Sequence, residues 1–340
     1  MLYSPQYNMI DENKKNTYDE SIVIDGLNVS NWESSAVFDS LNNGNVTAIN
    51  ATIAVWEHFT ETMDNISKWL HRFRDKSDFV TQVTKVQDIL DAKKNKKTGV
   101  IFGWQNASPI ENDLDRLELF HNLGVKIIQI TYNERNLLGN GCWERNDEGL
   151  SNFGKDAVKE MNRLGILIDL SHVGDQTTID SISLSDKPVA CTHANARSFF
   201  NSPRNKTDDA LKLIAEKGGV VGATAWPSFL RKGWNSTIED YGDAIEDMIE
   251  RIGINHVAIG TDYTQDQPSE WFDTATSQQG TKPSDLRLQI PKNPSHPKGL
   301  ETPDKMSNIS IELENRGFEK QDIEKILGGN WLRLLKDVWK

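Results

Sequence analysis

Eight short apolar runs alternate with helix-patterned segments between Ser21 and Asp262, and few folds accommodate such an alternation. The runs are SIVIDGLNV (Ser21 to Val29), VTAINATIAVW (Val46 to Trp56), TGVIFGWQ (Thr98 to Gln105), VKIIQITY (Val125 to Tyr132), ILIDLSH, PVACTH, GVVGATAW and HVAIGTD. Between them lie segments with helical spacing or caps: SSAVFDSLNNG, the stretch carrying Met63, Ile66, Trp69 and Leu70, DLDRLELFHNLG, FGKDAVKEMNRLG, Gln176 to Leu184, DDALKLIAEKG and TIEDYGDAIEDMIERIG. Continuous apolar strands separated by helices are what a parallel sheet buried on both faces requires. Eight such units predict an α/β fold, a (β/α)8 TIM barrel, with further helices after about Thr302. An open doubly wound sheet is the alternative. It lacks support, because no Gly-x-Gly-x-x-Gly follows the first strand and there is no Walker loop.

The 340-residue chain fits one such barrel, spanning residues 19–340, preceded by a polar peripheral segment 1–18. The segment from Phe79 to Leu90 and the polar material from Tyr263 to about Thr302 carry no strand assignment. A net charge of -12 argues against nucleic acid or an anionic membrane as the main partner, leaving small solutes or other proteins. Two cysteines, Cys142 and Cys191, point to a reducing compartment rather than a disulfide framework. The first residues have no apolar core of signal-peptide length and no run reaches transmembrane length, so a cytoplasmic location is expected. The sequons at Asn28 and Asn50 fall within expected core strands and read as chance.

In barrels of this type the active site lies at the C-terminal strand ends. The residues there are Leu27 and Val29, Gln105, Tyr132, His172, His193 and Asp262. His172 and His193 end neighbouring strands and could hold one metal ion through neutral imidazole nitrogens; the plainer reading is two hydrogen-bonded histidines. Asp262, in a Gly-Thr-Asp turn, could be a base, a ligand or an amine-binding carboxylate, or only a turn residue. Arg204, in NSPRNKTDD, could clamp a substrate carboxylate with two parallel hydrogen bonds, or form a surface ion pair. Cys142 lies in the long loop NERNLLGNGCWERNDEGL and reads as a structural thiol, and Cys191 as core.

Taken together, FGKDAVKEMNRLGILIDLSHV, THANAR, SPRNKTDD, GTDY and ILGGNWLRLLKDVW resemble the renal or membrane dipeptidase family, peptidase family M19, from the first strand to the C-terminus. The resemblance implies a metal-dependent barrel in which two zinc ions, bridged by a glutamate and a water, hydrolyse dipeptides, with tolerance for a D residue at the C-terminal position. It also implies a homodimer. Carried over residue by residue, it makes His172 and His193 the holders of the second zinc. Arg204 becomes the receiver of the substrate carboxylate, and Asp262 the carboxylate near the substrate amine.

The departures are equally specific. Leu27 and Val29 occupy the register of the family's His-x-Asp pair, Gln105 falls at or next to the bridging glutamate, and Tyr132 replaces the histidine that polarises the scissile carbonyl. A phenol can still donate a hydrogen bond there. The expectation is therefore at most one divalent metal, zinc, on His172 and His193, with Gln105 or Asp262 as a third ligand. The expected activity is hydrolysis of a small amide or dipeptide-like substrate bearing a carboxylate. Tyr132 and Asp262 would be catalytic, and Arg204, Asp262, Gln105 and Tyr132 would bind substrate. Two alternatives stay open: a non-hydrolytic reaction on an amino-acid derivative, and a non-catalytic binding homologue.

Overall fold

The computed structural model describes residues 17–339. Nine parallel strands form one sheet: β1 (Ile24–Asn28), β2 (Ala48–Ala54), β3 (Val80–Val83), β4 (Thr98–Trp104), β5 (Val125–Gln129), β6 (Leu167–Asp169), β7 (Ala190–Cys191), β8 (Val220–Ala223) and β9 (Val257–Ile259). Eight of them run in the order β1-β2-β4-β5-β6-β7-β8-β9. The barrel closes where Asn28 bridges Tyr263 and the Val29 N–H donates to the Tyr263 carbonyl at 2.8 Å. The expected strands are all present.

The ninth strand lies in the segment that had no strand assignment. Val80 to Val83 pair with Thr98 to Ile101 of β4, while β5 takes up the remaining edge of β4 from Phe102 onward. Its interior residues are only half-buried, so it lacks the continuous apolar run that marks its neighbours. The helix Val86–Lys94 follows directly. Residues 1–16 of the expected peripheral segment lie outside the described residues; its last two, Thr17 and Tyr18, are buried, and the Tyr18 hydroxyl donates to the Gly44 carbonyl at 2.7 Å. Asn28 and Asn50 are buried in strands, as expected for chance sequons.

One end of the barrel is sealed. Ile24, Ala48, Ile101, Ile127, Leu167, Ala190, Val220 and Ala258, one from each barrel strand, meet in a single buried layer with Trp331, Leu334 and Leu335 of the helix Asn330–Val338. The Trp331 indole N–H donates to the Ile259 carbonyl at 2.9 Å. Glycine is needed around this plug. A Cβ on Gly26 would lie 2.5 Å from the Thr192 carbonyl oxygen and 2.7 Å from the Trp331 ring, and one on Gly260 would lie 1.9 Å from the same oxygen. Trp331→Ala should cost about 3–5 kcal/mol, the usual range for removing a buried large aromatic, measured by denaturant unfolding. With this end filled, the polar residues at the C-terminal strand ends face the other mouth.

Candidate active site

His172 stands three residues beyond β6 and His193 two beyond β7. A buried carboxylate fixes both loops. Asp169 Oδ1 accepts from the backbone N–H of Ser171 (3.0 Å) and of Thr192 (2.9 Å) and from the Ser171 hydroxyl (2.6 Å), while Oδ2 accepts from the Thr192 hydroxyl (2.7 Å). The Ser171 hydroxyl oxygen in turn accepts from the His193 N–H at 3.1 Å. Asp25 does the same between β1 and β9, accepting from the Thr261 N–H at 2.8 Å and hydroxyl at 2.7 Å. Burial pushes Asp25 up to about 6 and also raises Asp169, against the pull of these donors. Both aspartates follow an isoleucine within an apolar strand, and each grips a threonine that precedes a site residue, Thr192 before His193 and Thr261 before Asp262. That repeated Ile-Asp was the signal in the sequence for two residues the strand-end inventory omitted.

The two histidines are brought together, with Nε2 atoms 3.0 Å apart. Their outer nitrogens decide what those atoms present. The Asn133 side-chain oxygen lies 2.7 Å from His172 Nδ1, so that nitrogen carries a proton. His193 Nδ1 lies 2.8 Å from the Thr192 hydroxyl oxygen, whose own proton goes to Asp169. His193 Nδ1 is then also the protonated nitrogen. In that tautomer both Nε2 lone pairs are available to an ion placed between them, and without one the 3.0 Å separation is that of a hydrogen bond between the two rings. Burial, then the nearby Arg204 and Lys206 charges, hold both imidazoles well below the usual histidine range, so both are neutral, the form that binds metal. Zinc–nitrogen bonds near 2.0–2.1 Å with a tetrahedral angle separate two ligand nitrogens by about 3.3 Å. The imidazole pair therefore fits a single ion.

A second ion has no seat among the described residues. Leu27 and Val29 are buried apolar side chains, and the Gln105 amide N–H donates to the Thr52 hydroxyl at 3.0 Å. Among the described residues, no group of three His, Cys, Asp or Glu side chains is arranged to hold a metal, so Asp262 does not complete the pair as the expected third ligand in this arrangement.

Tyr132 stacks on His172, ring centroids 4.1 Å apart, and meets the edge of Trp56. Burial raises its phenol, which stays protonated and able to donate. Asp262 adopts a left-handed φ of 62°, a conformation that costs a non-glycine residue about 1 kcal/mol or more. It is held there by its N–H, which donates to the Leu27 carbonyl at 3.1 Å, and by His296, whose Nε2–H donates to the Asp262 carbonyl at 3.0 Å. Burial, aided by Asp25 and Asp169 and opposed by Arg204, pushes its carboxyl up to about 7.

Arg204 is not a surface residue. It is fully buried, its terminal nitrogens donate to the carbonyls of Ser171 (2.6 Å) and His193 (2.7 Å), and its guanidinium lies over the Phe229 ring. Its Nε has no hydrogen-bond partner, and among the described residues no carboxylate pairs with it. A buried cation without a counter-anion is costly, which marks it as a place where an anion is expected to arrive.

His172, Asp262, Gln105, Tyr132 and Asn133 form the polar end of an open cavity of about 80 Å³, while His193 and Arg204 are fully buried and outside its lining. Its walls are aromatic and apolar: Trp143, Trp226, Phe229, Trp271, Phe272 and Ile290. Trp143 and Asn133 come from the long loop after β5. Trp271, Phe272 and Ile290 come from the non-periodic material after β9, which contains the helix Ser269–Ala275. Neither contribution was assigned from the sequence. A short helix whose apolar face lines a pocket leaves too few residues for a period to show. Replacing Asn133 with alanine should loosen metal binding about 10–100-fold, the usual effect of losing a ligand's orienting partner, as read by chelator competition.

The family model for membrane dipeptidases, peptidase family M19, matches residues 10–281 and 292–340. The chain belongs to this family. An amidohydrolase from Pseudomonas aeruginosa is 41% identical and superposes with a TM-score of 0.92 over 96% of this chain and 99% of that one. A Rhodobacter sphaeroides metallo peptidase, solved with a phosphinate mimic of L-Ala-D-Ala, shares the fold at 21% identity and a TM-score of 0.79, over 94% of this chain and all of that one. Among curated relatives, dipeptidase tcpJ of Claviceps purpurea is 28% identical over 77% of this chain, and an uncharacterized dipeptidase of Schizosaccharomyces pombe is 30% identical over 73%. The chain spans about half the length of these two, 56% and 54%. Membership in an M19 metallopeptidase family implies a divalent metal. No helix among the described residues is long and apolar enough to cross a membrane.

Proposed function

We propose that this protein is a metal-dependent hydrolase of dipeptide-like amides that works with one zinc ion, held by His172 and His193. The observation that carries this reading is the pair of buried Nε2 atoms 3.0 Å apart, each ring oriented by a hydrogen bond on its far side. When bound there, zinc supplies an acidified water and a Lewis acid for the carbonyl.

The chain's own residues do the rest. Arg204 Nε is the free donor that receives the substrate carboxylate. The Tyr132 phenol donates to the carbonyl oxygen of the scissile amide. Asp262, poised near neutrality, takes a proton from the attacking water at its carboxylate oxygen and returns it to the leaving nitrogen. The aromatic walls shed water from around the amide and accept an apolar side chain. The Rhodobacter relative binds a mimic of L-Ala-D-Ala, which makes that dipeptide the first substrate to try. A cytoplasmic homodimer completes the reading, supported by the two unpaired cysteines and by the family resemblance.

Elemental analysis of protein loaded with zinc or manganese should return one ion per chain, with turnover of L-Ala-D-Ala that chelation abolishes. Two ions per chain, or turnover untouched by chelation, would overturn the proposal. Sedimentation velocity reads the oligomeric state.

A further inference from the structure

We propose that residues 282–291 form a strap that turns the apolar part of the cavity into a subsite for a planar aromatic group, so that the preferred substrates are amides carrying one. This rests on the amide-hydrolase reading for the reacting end alone, and binding of the ring is read without turnover.

The family match breaks between 281 and 292, so the strap lies outside the pattern this chain shares with the family. Its residues Leu286, Gln289 and Ile290 nevertheless line the cavity. The strap is pinned in place, chiefly by Arg287. Its Nε donates to Asp273 Oδ1 at 2.6 Å, Nη2 to the Ser269 hydroxyl at 3.1 Å and Nη1 to the Ile290 carbonyl at 2.8 Å. Ser269 and Asp273 belong to the helix Ser269–Ala275, which also carries Trp271 and Phe272, so one side chain joins the strap to the aromatic wall. On the other side the Trp234 indole N–H donates to the Gln289 carbonyl at 2.9 Å.

The rings of the wall hold one another. Trp226 and Phe272 lie 23° from parallel with centroids 6.2 Å apart. Trp271 meets Phe272 edge-on at 88°, and Trp234 meets Trp226 edge-on at 84°. Rings fixed in this way present faces and edges in set directions, which favours a guest that can itself stack or meet an edge over an aliphatic group of similar bulk. Leu286 and Ile290, with Trp143 and Trp271, are only half-buried, which leaves apolar surface for such a guest to cover. Leu288, between the two strap residues, is 84% exposed and does not line the cavity. The amide belongs at the polar end, beside Tyr132 and Gln105, and the ring under the strap.

The test uses the full chain and three uncharged amides: 3-phenylpropionamide, 3-cyclohexylpropionamide and butanamide. Binding is read by calorimetry and by quenching of tryptophan fluorescence. The phenyl amide should bind about tenfold or more tighter than butanamide, the usual return for burying a large apolar side chain, with the cyclohexyl amide between them. In the double variant Leu286→Ser, Ile290→Ser, checked for folding by circular dichroism, the phenyl advantage should fall about fivefold or more. Leu288→Ser, on the same strap but turned to solvent, should bind all three as the unaltered protein does. Equal affinity for the phenyl amide and butanamide overturns the subsite. Cyclohexyl binding as tight as phenyl overturns its preference for aromatic groups. A full phenyl advantage in the folded double variant overturns the assignment to the strap. The comparison of amides on the unaltered protein decides the first two even if that variant does not fold. As substrates, L-Phe-D-Ala should exceed L-Ala-D-Ala in kcat/KM by a factor like that of the binding. Slower cleavage of L-Phe-D-Ala despite tight ring binding overturns the role in specificity. Cleavage of neither dipeptide, with the ring still bound, overturns the hydrolase reading and leaves the aromatic subsite standing.

Discussion

Replacing His172 or His193 with alanine is expected to remove the bound metal altogether and to lower kcat/KM on L-Ala-D-Ala about a thousandfold or more. A family centre with two ions and a bridging carboxylate can lose one ligand and keep some occupancy. This chain has two imidazoles and no carboxylate ligand, so the loss of either leaves a single nitrogen. The expected drop is of the order that one preorganised electrostatic group contributes to a transition state. The two variants should be non-additive, because each removes the same ion. Elemental analysis beside steady-state kinetics checks this. Normal metal content in His193→Ala would place the ion elsewhere. Neither change should unfold the protein, because Asp169 holds both loops through backbone and hydroxyl donors rather than through the rings.

Asp262→Asn should do two things at once: lower kcat about 10²–10⁴-fold and stabilise the fold above neutral pH. The first follows from its place as the proton-carrying group. The second follows from linkage. A carboxyl raised from 3.8 to about 7 in the folded chain binds a proton more tightly there than in the unfolded chain. The stability this confers is fully present below about pH 4 and is lost as pH rises to about 7. Above that, the folded protein carries a poorly solvated charge in a strained left-handed residue, at a cost of about 4 kcal/mol. Asparagine removes the charge and tolerates the same φ. The gain in melting temperature should be a few degrees at pH 8 and near zero at pH 4. In the unaltered enzyme, kcat/KM should rise with pH through about 7, and that limb should be absent in Asp262→Asn. An unchanged limb would assign it to another group.

The barrel was legible because eight strands buried on both faces leave eight apolar runs, and the residue that ends each run lands at one mouth. His172, His193, Asp262, Gln105 and Tyr132 were all found that way, without a contact map. β3 escaped because it fills only part of one edge of β4 and is half-buried, so its four residues carry no distinctive pattern. Asn133, Trp143 and Trp271 escaped because loops and a seven-residue helix are too short to impose a visible period on their sequence.

Strand alternation and strand-end residues, then, lie in the order of the chain: they depend on neighbours two to four positions away, and a short window records them. The loss of the His-x-Asp pair at Leu27 and Val29 is visible there too. The tertiary structure alone decided that the two Nε2 atoms face each other, since that turns on Asn133 and Asp169, 39 and 24 positions from the imidazoles they orient. It also decided that Arg204 is buried without an anion rather than paired at the surface. Charge balance inside a barrel is a sum over residues from every strand, and no local stretch of sequence carries it.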